Sequence, residues 1–97
     1  MDTSLTWLGR IATAPSETDW RRLVDVYAPL LHNWFARTGI PPVDREDLVQ
    51  EVLVVVVARV AEFDQRGPGA FRAWLRGIVA TLARKFFRDR HSSAAVD

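Results

Sequence analysis

Ninety-seven residues, 48% of them apolar and 26% charged, describe one small globular domain and exclude a disordered chain. The lack of cysteine excludes disulfides and thiolate metal sites, and the longest apolar run, Val52 to Ala58, falls far short of the roughly 18 residues of a membrane span. Net charge is only +1, yet residues 1–65 carry six Arg against ten acids, whereas residues 66–91 carry Arg66, Arg72, Arg76, Arg84, Lys85, Arg88 and Arg90 against Asp89 alone.

Three breaks, at Ala14-Pro15-Ser16, Gly39-Ile40-Pro41-Pro42 and Gly67-Pro68-Gly69, divide the chain into four segments. The first, Thr3 to Thr13, reads as a short helix with Leu5, Leu8, Ile11 and Ala12 on one side. The second reads as a helix from about Asp19 to Arg37, capped by Ser16 or Thr18. Its apolar face holds Trp20, Leu23, Val24, Tyr27, Leu30, Leu31, Trp34 and Phe35, with Arg21, Arg22, Asp25, His32 and Asn33 opposite. Pro29 sits on the polar side, where it bends a helix rather than ending it, and Gly39 supplies the stop.

The third segment contains Val52-Leu53-Val54-Val55-Val56-Val57, a composition that favours strands. Asp44 nevertheless reads as a helix cap, with Glu46 and Asp47 in the first turn, and no second strand candidate exists to pair with it. Val49, Val52, Leu53, Val56, Val60 and Phe63 form a single stripe at helical spacing, so this segment also reads as helix. The fourth, about Ala70 to Arg90, places Phe71, Leu75, Ile78, Val79, Leu82 and Phe86 on one stripe. The expected fold is all-α, a small bundle of about four helices. Residues 1–91 form the domain, and residues 92–97, beginning at Ser92-Ser93, read as the start of a linker or tail.

Two surfaces are left over once the core is assigned. On the third helix Asp47, Gln50 and Glu51 cluster at i, i+3 and i+4, and the same face then turns apolar at Val54, with Val57 beside it. A partner covering these valines and a neighbouring helix covering them are equally good readings of the periodicity. On the fourth helix Arg72, Arg76, Arg84 and Arg88 alternate with Ala73, Gly77, Ala80 and Ala83. Long cations between small residues let a helix lie close to a phosphate backbone. Arginine, which supplies twelve of the thirteen basic residues, suits that contact better than lysine. Phe71, Trp74 and Phe87 add aromatic surface of the kind that stacks on bases, although Phe71 and Trp74 read more readily as core than as base platform.

These strings resemble a known family. Asp47-Leu48-Val49-Gln50-Glu51-Val52, then Phe63, a glycine-containing loop and Phe71-Arg72-Ala73-Trp74-Leu75-Arg76-Gly77-Ile78, are similar to region 2 of bacterial sigma factors of the extracytoplasmic-function type. Trp20 to Leu31, proline included, resembles the family's first long helix. The resemblance implies an all-helical domain that recruits RNA polymerase core to promoters. It implies docking on the clamp helices of the largest polymerase subunit through Asp47, Gln50, Glu51, Val54 and Val57. It further implies that the loop from Gln65 to Ala70 and the following helix hold the non-template strand of the −10 element with bases flipped out. Arg66, Phe71, Arg72, Trp74, Arg76, Thr81, Arg84, Lys85 and Arg88 fall on that segment. Thr81 and Lys85 depart from the Asn and Asp of many relatives, which leaves base preference open. Full-length relatives continue into a second domain that reads the −35 element, so the chain is expected to be one domain of a longer protein. An anti-sigma factor is a further partner class the family admits.

An enzyme is the least supported class. His32 and His91 lack metal-ligand or nucleophile partners at useful spacing, and Gly67-Pro68-Gly69 lacks the lysine of a phosphate-binding loop. No catalytic residue, metal or cofactor is expected. Met1-Asp2-Thr3 begins no signal peptide, so the expected compartment is the cytoplasm. The alternative function is a helical interaction module that binds a partner through Val54 and Val57 without recognising DNA.

Overall fold

Ser16 caps the first helix reciprocally. Its hydroxyl accepts from the Asp19 N–H at 3.1 Å, and the Asp19 carboxylate accepts from the Ser16 N–H at 3.4 Å. Helix α1 then runs Glu17–Arg37, α2 runs Pro42–Arg59 and α3 runs Ala70–Val96. The computed structural model describes residues 16–60 and 69–96, with side chains as far as His91. All three described elements are helical, and each packs on the other two. The first expected helix, Thr3 to Thr13, lies outside the described residues, as do Phe63 and Arg66.

Pro29 stands exposed inside α1, and the helix continues past it. The exit is set by Gly39, whose φ of 89° belongs to the left-handed region. Its N–H donates to the Ala36 carbonyl at 3.1 Å, and the Ile40 N–H donates to the Phe35 carbonyl at 3.0 Å. That pair of bonds closes the helix end and drives Ile40 fully into the core. A methyl added at Gly39 would meet only the Phe87 ring at 3.8 Å, an ordinary contact. Gly39→Ala is therefore expected to cost about 1–2 kcal/mol through the backbone alone. The expected reading is a lower denaturant midpoint at unchanged slope; an unmoved midpoint would contradict this account of the turn.

Helix α2 begins earlier than its sequence suggests. Pro41 is its cap residue and Pro42 its first helical residue, with no side-chain cap bond. Asp44 is thus not the cap but lies in the first turn, its N–H donating to the Pro41 carbonyl at 2.9 Å. Proline's fixed φ and missing N–H suit the first helical position, so the pair that reads as a breaker is a starter here. The valine run is helical because one side of it completes the core. Leu48, Val49, Val52, Val56 and Val60 are buried against Leu23, Tyr27, Leu31, Trp34 and Phe35 of α1 and Phe71, Leu75, Val79 and Ala83 of α3. Each large side chain so buried contributes roughly 1.5–3 kcal/mol relative to exposure.

Two sidedness expectations change. Val24, placed on the apolar face of α1, is exposed, and Trp20 and Leu30 are only half-buried. Ala83, placed among the outward small residues of α3, is buried, because the inner row runs Phe71, Leu75, Val79, Ala83 at i, i+4 spacing. Ile78, Leu82 and Phe86 flank that row half-buried. Helix α3 also passes its expected end at Arg90 and continues to Val96, so Ser92-Ser93 has helical backbone.

Candidate functional site

The outward side of α2 carries an apolar and polar seam with a definite period. Val43, Asp47, Gln50, Val54 and Val57 are separated by 4, 3, 4 and 3 residues, the spacing by which one helix meets another in a coiled coil. All five are exposed, with Val43 at 82%, Val54 at 66% and Val57 at 57%. A helix capped by Asp44 would leave Val43 outside it, so the sequence does not show Val43 as part of the seam. Glu51 is exposed on the flank facing α3, where it lines a groove with Leu48, Lys85 and Arg90. On the other flank, Trp20 and Val24 of α1 join Leu53 and Val57 in a shallow apolar groove that runs into the seam.

Gln50 is not a loose side chain. Its amide nitrogen donates to Glu46 Oε1 at 3.3 Å, and the other carboxylate oxygen of Glu46 takes His32 Nε2 of α1 at 3.0 Å.

The second surface is α3. Arg72, Arg76, Arg84 and Arg88 are exposed, and among the described residues none of the four is paired with a carboxylate. They form two i, i+4 pairs that together span about 160° of the helix circumference, with roughly 12 Å of axial rise from Arg76 to Arg84. They are an arc, not a single row. Arg76 lies over the Trp34 ring at 5.1 Å, a cation–π contact that anchors it at the α1 side. Thr81 donates its hydroxyl hydrogen to the Gly77 carbonyl at 3.0 Å, leaving its oxygen to accept from Arg84 at 3.5 Å. Arg90 instead reaches Asp44 Oδ2 at 3.2 Å and stacks on Phe86 at 4.9 Å, which removes it from the free basic arc.

The structure divides the remaining DNA candidates. Phe71 is 2% exposed, its ring 5.3 Å from Tyr27 and 5.7 Å from Trp74, so it is a core residue and presents no face to a base. Trp74 is half-buried and, with Thr81, lines a cleft shared with Val55 and Arg59 of α2, two residues the sequence did not single out. Lys85 is exposed and lines the groove that α3 shares with Leu48 and Glu51 of α2. Among the described residues no helix is long and apolar enough to cross a membrane, and no cluster of His, Asp or Glu is arranged to hold a metal.

Among the described residues, three helices thus present an exposed seam of coiled-coil period on α2 and an arc of arginines without carboxylate partners on α3. The model of the Sigma-70 region 2 family matches residues 23–93, and the chain belongs to that family. It is accordingly a sigma-factor domain, from a family of transcription initiation factors that bind RNA polymerase and recognise promoters. No curated protein matches the chain, and neither does any solved structure.

Proposed function

We propose that this domain acts in the cytoplasm as region 2 of an extracytoplasmic-function sigma factor. It docks α2 on the clamp helices of the largest polymerase subunit and uses α3 to recognise and melt the −10 element. Asp47, Gln50, Glu51, Val54 and Val57 make the polymerase contact, with Val43 extending it by one turn. The observation that carries this reading is the 4-3-4-3 seam: exposed valines on a coiled-coil period, edged by carboxylates, fit an amphipathic coiled coil with basic flanks.

On α3, Arg72, Arg76, Arg84 and Arg88 hold the phosphates of the non-template strand, while Thr81 and the half-buried Trp74 stand beside them for base contact. Lys85 adds charge beside them, and the resemblance assigns Arg66 to the same DNA contact. Phe71 supports this face from beneath. Unstacking and flipping a base costs a few kcal/mol, and base–aromatic stacking returns about 1–3 kcal/mol, so the phosphate contacts and polymerase must supply the remainder.

Arg76→Ala and Arg84→Ala are each expected to weaken binding to a single-stranded −10 oligonucleotide roughly fivefold at low salt. Each should also reduce the slope of log affinity against log salt by about 0.7. Polymerase association should stay intact in both. Fluorescence anisotropy across a salt series measures this, and wild-type affinity and slope in both variants would overturn the DNA assignment.

A further inference from the structure

The seam on α2 has a polar residue at its centre. Gln50 stands between Asp47 and Val54, and among the described residues its amide is linked through Glu46 to His32 on another helix. A glutamine amide has two opposite ends, and on a mobile side chain either end can face a partner. Here the choice is made chemically. A carboxylate oxygen only accepts, so the atom bonded to Glu46 is the NH2 group. The Glu46 carboxylate is shared, one oxygen with Gln50 on its own helix and the other with His32 from α1. That arrangement anchors the carboxylate at both ends and leaves the Gln50 carbonyl oxygen as the end free to meet a partner.

We propose that His32 and Glu46 are positioning residues that hold Gln50 with its carbonyl oxygen outward, making it the polar residue that sets the register of the docked polymerase helix. A single polar group within an apolar helix seam specifies alignment, because only one register gives it a partner. With the Gln50 NH2 group tied to Glu46 and its carbonyl outward, the seam and its edge present acceptors at Asp47, Gln50 and Glu51, between and beside valines. The matching partner surface carries Arg or Lys donors at that level. This inference rests on the docking reading above and adds to it the residues that orient the contact.

The test is a double-mutant cycle in the 97-residue chain, read as the Kd for purified RNA polymerase core. Gln50→Ala is expected to weaken binding about five- to tenfold. His32→Ala should weaken it about two- to fourfold when Gln50 is present and leave it unchanged in the Gln50→Ala background. His32→Gln, which keeps an N–H donor for Glu46, should restore wild-type affinity. The Gln50 side-chain amide resonances of the free chain should move on His32→Ala and return with His32→Gln. Equal weakening by His32→Ala in both backgrounds would overturn the proposal as a merely structural effect, and so would its silence where Gln50→Ala weakens binding. Silence of Gln50→Ala itself would remove the docking reading, and the proposal with it. The amide resonances would then show whether the clamp exists without that role.

Discussion

Phe71→Ala is expected to destabilise the domain by about 3–5 kcal/mol, the range for truncating a buried phenylalanine. The ring is 2% exposed, sits edge-on to Tyr27 and tilts against Trp74, so its removal opens a cavity where α1 and α3 meet. A small domain holds roughly 5–15 kcal/mol in total, so the loss is a large part of the whole. DNA binding should fall in proportion to the unfolded fraction and recover when the variant is measured under stabilising conditions. Chemical denaturation together with anisotropy separates the two effects. Wild-type stability combined with lost DNA affinity would return Phe71 to the DNA surface.

The second large effect is expected on polymerase binding with no loss of fold. Val54→Lys combined with Val57→Lys removes two exposed apolar side chains and places cations opposite a partner that the acidic edge implies is basic. Affinity for polymerase core should fall about 100-fold or more, since a charge buried in an interface without a partner is costly. Stability should rise by a few tenths of a kcal/mol, because lysine favours helix more than valine and neither site belongs to the core. A lowered melting temperature with unchanged polymerase affinity would mean that these valines serve the fold.

Helix periodicity alone carried most of the fold. The stripe through Val49, Val52, Leu53, Val56 and Val60 outweighed the β-branched composition of the same run because the buried side of a helix is set by spacing; the four valines are buried, Leu53 is half-buried, and Leu48, outside the stripe, is buried as well. What spacing could not supply was the rotation of each helix about its axis. In α3 the inner row is Phe71, Leu75, Val79 and Ala83, so a small residue that reads as an outward spacer is inside, and Phe71, which reads more readily as core than as base platform, is core. In α2 a starter proline pair was read as a breaker, which moved the helix start and hid Val43 from the seam. The exposure of Val54 and Val57 was an open question between partner and neighbouring helix, and among the described residues no helix covers them. Contacts between residues distant in sequence, such as Arg90 with Asp44 and His32 with Glu46, leave no local pattern to read.

If polymerase binds the proposed α2 face and DNA the proposed α3 face, the two must occupy the domain together. The direct test is photocrosslinking of a labelled single-stranded −10 oligonucleotide to the 97-residue chain, with and without RNA polymerase core. Core should raise the crosslinking yield with the wild-type chain and leave it unchanged with the Val54→Lys, Val57→Lys variant, while Arg76→Ala with Arg84→Ala should lower it in both conditions. Displacement of the oligonucleotide by core would place both partners on one face and contradict the account.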